Sequence, residues 1–199
     1  TLDVPRSSRA SATGRHACAP SSSVKHHIFD DPSVDGTLEV ADIAWLQVAR
    51  VTASRHRVVH QPPAFHAPAA AIVLQFTGKS VIEQQGRTVR LAPGHWTVCD
   101  STLAYTLTSP GASQRILLLI PHDCLDEDSE LEQFTTRSFS GTAGVGRLVF
   151  GIAGWIVEEL ASIHAERAEV LATTVTQVIN LAIQEKMGRR NIEPARGTL

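Results

Sequence analysis

At 199 residues the chain suits one domain, or one domain with a helical appendage, and it is long enough to bury a sizeable core. Apolar residues make up 43% and charged residues 19%, which are globular values; a net charge of −2 with scattered basic residues offers no concentrated basic face for nucleic acid. No run approaches the roughly 18 consecutive apolar residues of a membrane span, so no partner membrane is expected.

In chain order, residues 1–36 are rich in Ser, Ala, Arg and Pro, show no period, and contain no signal-peptide core. They read as a flexible leader, or alternatively as an arm that folds over a pocket. The first residue is Thr, which reads as a fragment or an unusual gene start. Cys18, Cys99 and Cys124 form an odd set without CxxC spacing, which suits reduced thiols in a cytoplasm.

Strand patterns begin near Leu38. The β-rich run 45–51 and the short run 57–59 precede Pro62-Pro63 and Pro68, which exclude helix and mark a loop. The next strand, 71–76, puts Ile72, Leu74 and Phe76 on one face. Strands at 80–85 and 87–91 flank Gly86 as the tip of a hairpin, and 97–100, 104–107 and 115–120 follow. Gly78, Gly86, Pro93-Gly94 and Pro110-Gly111 punctuate this series at strand-length intervals, which is the pattern of a barrel or jelly roll.

After Pro121 the character changes. The acidic stretch 126–130 reads as solvated, and Gly141, Gly144 and Gly146 read as a hinge. Leu148, Ile152, Trp155, Ile156, Leu160 and Ile163 then recur at helical spacing, as do Leu171, Val175, Val178, Ile179, Ala182 and Ile183. With a break near Glu166 they predict two helices, closed by Gly188 and followed by a patternless tail, 189–199. Two broad apolar stripes cannot both be satisfied by each other, so they pack on the barrel, on a second subunit, or on both.

Nine histidines invite a metal hypothesis, but no H-x-H occurs, and His56, His60 and His66 straddle a Pro-Pro break rather than sharing a helix face. Neither Cys99 nor Cys124 has the helix N-terminus that would activate a thiol, and no G-x-S-x-G or phosphate loop is present. The sequence therefore shows no enzyme machinery and calls for no cofactor. Arg50, Trp96 and Tyr105 are the candidate ligand-binding residues, offering stacking faces and hydrogen-bond donors on barrel strands; Phe76 and His95 are weaker candidates. For Trp96 and Phe76 the competing reading is plain core. Asp100 reads as a structural residue in a strand-end turn.

The ordered set Phe76-x-Gly78, Gln85-Gly86-Arg87, Leu91-x-Pro93-Gly94, Asp100, Tyr105 and Ile120-Pro121 with Leu125 resembles the N-terminal ligand-binding domain of AraC/XylS-type bacterial transcription regulators. The resemblance implies a mostly β fold with C-terminal helices: a cupin-like β-barrel or jelly roll over 37–125, a linker over 126–146, and an antiparallel helix pair over 147–188 that mediates dimerisation. A small organic effector and a homodimer are the implied partners, and Leu171, Val175, Val178 and Ala182, at heptad-like spacing, are the implied dimer contacts. DNA would be reached only through a helix-turn-helix half that this sequence lacks. Two departures stand out: that missing half, and His95 where the family often has an acid after Pro-Gly. Catalytic cupins carry His three residues after the Gly of Pro-x-Gly-x-x-His; Thr97 stands there, which disfavours a metal-dependent cupin enzyme. A stand-alone dimerisation partner of a full-length regulator is the remaining alternative.

Overall fold

The computed structural model describes residues 27–29, 35–62, 68–125 and 131–188. Most of the leader, residues 63–67 with His66, the acidic stretch 126–130 and the tail 189–199 lie outside the described residues, as does Cys18.

The described strands are β1 (His27–Phe29), β2 (Gly36–Ile43), β3 (Leu46–Ala53), β4 (His56–His60), β5 (Ala69–Thr77), β6 (Ser80–Gln84), β7 (Arg87–Leu91), β8 (His95–Asp100), β9 (Tyr105–Ser109), β10 (Ser113–Pro121) and β11 (Phe139–Ser140). They form two antiparallel sheets, a five-stranded one in the order β1-β4-β9-β6-β7 and a six-stranded one in the order β11-β8-β5-β10-β3-β2. Among the described residues no ladder joins the two sheets, so the fold is a jelly-roll-like sandwich and not a closed barrel. Gly86 sits at the β6–β7 tip as expected; Gln85 at φ 50° and Gly86 at φ 71° give the doubly positive turn that two-residue hairpins favour.

Beyond Pro121 the chain forms α1 (Leu131–Phe134), α2 (Gly144–Glu159) and α3 (Ala168–Gly188), with a break of short 3-10 turns at 160–162 and 165–167. The break falls where the periodicity changes near Glu166. The glycine-rich stretch serves close packing. A Cβ on Gly141 would lie 2.1 Å from the Phe150 ring, and one on Gly146 would lie 2.4 Å from the Ser140 carbonyl oxygen. These contacts let α2 start directly beside β11, which itself extends the six-stranded sheet by pairing with β8.

The six-stranded sheet is buried on both faces, and this makes two cores. Between the sheets lie Val51, Val58, Val73, Ile82, Leu107, Leu117 and Leu119. On the opposite face Val48, Ile72, Leu74, Trp96, Ile116 and Leu118 meet the helices. From α2 come Val149, Ala153, Ile156 and Val157, and from α3 Ala172, Val175, Ile179, Ala182 and Ile183, at the spacing of one helix face. Each large apolar side chain buried this way contributes roughly 1.5–3 kcal/mol. The helices run antiparallel, since Glu185 near the end of α3 accepts a hydrogen bond at 3.3 Å from the backbone N–H of Val145 at the start of α2. Ala143 at the N-cap supplies no side-chain cap, so this carboxylate fills that role at the positive end of the helix dipole.

Candidate ligand-binding site

Of the three residues singled out for ligand contact, only Tyr105 faces the space between the sheets. Trp96 is fully buried on the other face of its sheet, under the helices, with its ring 4.7 Å from that of Phe139. Arg50 also lies on that face, beside Glu39 in the β2–β3 register, and the two form an ion pair that is partly exposed. Strand alternation accounts for both placements: Trp96 is paired with Leu74 and Arg50 with Ile116, and cross-strand partners share a face. His95 is half-buried, and Phe76 packs on Phe150 of α2 with ring centroids 5.1 Å apart.

The inner face carries a polar set that the sequence reading missed. Arg115 on β10 is 2% exposed and is the only Arg, Lys, Asp or Glu among the buried described residues. Its register partners Val51 on β3 and Gln75 on β5 place it with the inward-facing residues of the six-stranded sheet. From the opposite sheet Ser109 accepts one long hydrogen bond from Arg115 Nη1, at 3.3 Å. Ser109 in turn shares a 2.9 Å hydrogen bond with Ser80, and its cross-strand neighbour is His56. The guanidinium Nε has no partner. Neither have Gln75 Oε1, Thr97 Oγ1 and Ser113 Oγ, all on the same inner face, since Thr97 pairs with Val73 and Ser113 with Ala53.

The inner cluster around this set mixes small side chains, Ala49, Ala53 and Ala71, with the larger Val51, Val73, Ile82, Leu107 and Leu117.

The electrostatics follow from burial. Desolvation lowers the Arg115 pKa from 12.5 to about 10, against a smaller opposing effect of Tyr105, so the side chain stays charged at neutral pH. Burial also lowers the His56 pKa, and the Arg115 charge adds to that; the hydrogen bond of His56 Nδ1–H to the Ser54 carbonyl, 2.6 Å, acts the other way. Tyr105 is raised well above 10 by burial and by Cys99, with Arg115 opposing. Burial, with Asp100 adding to it, pushes the Cys99 thiol up to about 12, which leaves it protonated and unreactive.

At the other end of the interior the sheets are stitched together. The Gln84 amide donates to the Asp100 carbonyl at 2.8 Å and accepts from the Asp100 N–H at 3.0 Å, while His60 Nε2–H donates to the Ser101 carbonyl at 2.8 Å. The His60 and Tyr105 rings stack with centroids 4.6 Å apart. An open depression of about 430 Å3 borders these residues, with Glu83, Gln85 and Thr106 on its outer side. Asp100 has the structural role expected of it: its carboxylate accepts from the Thr102 N–H and hydroxyl at 2.8 and 2.7 Å, closing the strand-end turn. Among the described residues no three His, Cys, Asp or Glu side chains gather as metal ligands, and no helix is long and apolar enough to cross a membrane.

The four implied dimer residues divide. Val175, 2% exposed, and Ala182, 0% exposed, are covered by this chain's own sheet and helix, whereas Leu171 and Val178 are half-buried. Among the described residues the large apolar side chains left in the open are Leu148 and Trp155 on α2 and Val170 and Leu181 on α3.

Two packed antiparallel sheets with a partly polar interior, backed by a helix pair, define a cupin-like jelly-roll module. The chain belongs to the AraC-binding-like domain family, whose model matches residues 10–184. Its fold is similar to that of the AraC-like transcriptional activator CuxR, at 17% identity and a TM-score of 0.65 over 76% of this chain. The similarity spans only 56% of that activator's length. The Clostridium difficile EutQ protein is a weaker likeness, at 14% identity and a TM-score of 0.39 over 53% of this chain and 82% of that one. KdgF from Halomonas sp. compares similarly, at 18% identity and a TM-score of 0.35 over 52% and 95%. No curated protein matches the sequence significantly. Family and fold together support a ligand-binding regulatory domain.

Proposed function

We propose that this chain is the effector-sensing and dimerisation domain of an AraC-type transcription regulator. A small organic effector binds between the two sheets, and DNA is reached through a helix-turn-helix half outside this sequence. The observation that carries the reading is the inner face of the six-stranded sheet. Four buried polar groups there, Arg115, Gln75, Thr97 and Ser113, have unpartnered atoms, each unmet at a cost of about 1–3 kcal/mol, and this supports a ligand with polar groups between the sheets. The module binds and reports rather than reacts, and the protonated Cys99 thiol supports that. Dimerisation draws support from Leu148 and Trp155, two helical turns apart on α2, and from Val170 and Leu181, three turns apart on α3.

In a regulator, binding would bias two arrangements of the helices relative to a partner copy, which requires a difference in effector affinity between them. Native mass spectrometry of the full chain with a library of small metabolites tests this reading. A dimer that takes up a discrete small-molecule adduct is the expected result. A monomer that acquires none overturns it.

A further inference from the structure

We propose that the effector is a small monocarboxylate and that Arg115 receives its carboxylate group. This rests on the effector-sensing reading above and narrows it to one ligand class.

A guanidinium has five N–H donors, and Arg115 gives one long bond to Ser109 while Nε gives none. Buried arginines are ordinarily neutralised by an acid, yet no carboxylate of the described residues lies within 4.0 Å of this one. Among the described residues the positive charge inside the sandwich therefore has no counter-charge. Charge count sets the class. Among the described residues Arg115 is the sole charged side chain of the interior, and neighbouring His56 is held neutral. One negative charge is matched there, and the second charge of a phosphate monoester dianion would be left bare. The planar fork of the guanidinium also fits a carboxylate, with two parallel hydrogen bonds.

Around the charge the inner walls are apolar: Val51, Val73, Leu107 and Leu117. The remainder of the ligand is accordingly hydrocarbon or aromatic. Tyr105 borders the open depression and also feels the Arg115 charge, so it stands between the two. The stacked His60 and Tyr105 rings line that depression.

The test is the unfolding midpoint of the full chain and of Arg115→Met and Arg115→Lys. Each is measured alone and with hexanoate, phenylacetate, and the neutral amides hexanamide and phenylacetamide. The acids raise the wild-type midpoint, by about 5–10 °C at a hundred times their Kd, and the amides do not. Arg115→Met alone melts no lower than the wild type and no longer responds, because it removes an uncompensated charge. Arg115→Lys keeps part of the acid response.

If Arg115→Met unfolds or melts well below the wild type, Arg115 is a structural tie and the proposal fails. It also fails if no acid shifts the wild type. Acids and amides acting alike, with the effect surviving in Arg115→Met, would reject the carboxylate assignment and leave effector sensing standing. An interior that answers to nothing here while the metabolite library also yields no adduct would remove both.

Discussion

Arg115 remains charged at neutral pH despite being buried, and the fold bears the cost. A drop from 12.5 to about 10 corresponds to a penalty on the order of 3 kcal/mol at 1.36 kcal/mol per pKa unit. The sign is that of a depressed cation: the penalty applies in full below about pH 10 and is relieved as pH rises toward 12.5. His56 shares the same sign. Its folded pKa lies below 6.5, so the unfolded chain takes up a proton first as pH falls, and stability present above pH 6.5 is lost below it. Denaturant midpoints measured from pH 8 to pH 5 are expected to fall across that window less steeply in His56→Gln than in the wild type. Gln84 is the other residue with a disproportionate role, since both ends of its amide tie one sheet to the other. Gln84→Ala is expected to cost about 2 kcal/mol, a midpoint drop of roughly 4–8 °C in a thermal melt.

Arg115 was legible in the sequence in one respect. It occupies an alternate position in Ser113–Pro121, in phase with Leu117 and Leu119. What hid it is that the strand is apolar on both faces, so alternation does not reveal which face is inner.

At the level of elements, turn chemistry was the readable part. Gly86, Pro93-Gly94 and the Pro-rich loop each fall between strands, because a reversal of direction needs particular backbone angles whatever the tertiary context. Which face each strand presents was not readable. Trp96 and Arg50 look like pocket residues in a strand list, and the helices that cover their face begin only at Gly144, far along the chain from either. The glycines around the start of α2 illustrate the same limit: three in six residues suggest a hinge, whereas contact with Phe150 and the Ser140 carbonyl gives Gly141 and Gly146 a packing role. Gly146→Ala forces its new methyl into that carbonyl and is expected to destabilise by about 1–3 kcal/mol, read from urea midpoints at unchanged slope. Glu185→Ala removes the cap on α2 and is expected to cost about 1 kcal/mol by the same measurement, with far-UV dichroism otherwise preserved.

For the whole molecule the helix pair has one job that is visible and one that is proposed, and its faces separate them. One face closes the outer core over the six-stranded sheet, and the other carries exposed Trp155, Leu148, Val170 and Leu181. Periodicity located the stripes but could not say which chain covers them, because a buried Val175 and a Val175 in a dimer interface have the same sequence signature. Paired substitutions separate the two roles. Val175→Asp places a charge in the monomer's own core and is expected to unfold the chain, a loss above about 4 kcal/mol. Trp155→Glu touches only the open face and is expected to leave the melting curve of the monomer unchanged while shifting sedimentation from dimer to monomer. If Trp155→Glu sediments like the wild type, the exposed α2 face is not the contact, and the half-buried Leu171 and Val178 become the next positions to charge. Because α2 rests on the strand that holds Arg115, the proposed effector site and the proposed dimer face share one element. Sedimentation of the wild type with and without hexanoate is therefore expected to give different dimer dissociation constants, and equal constants would uncouple the two halves of the proposed function.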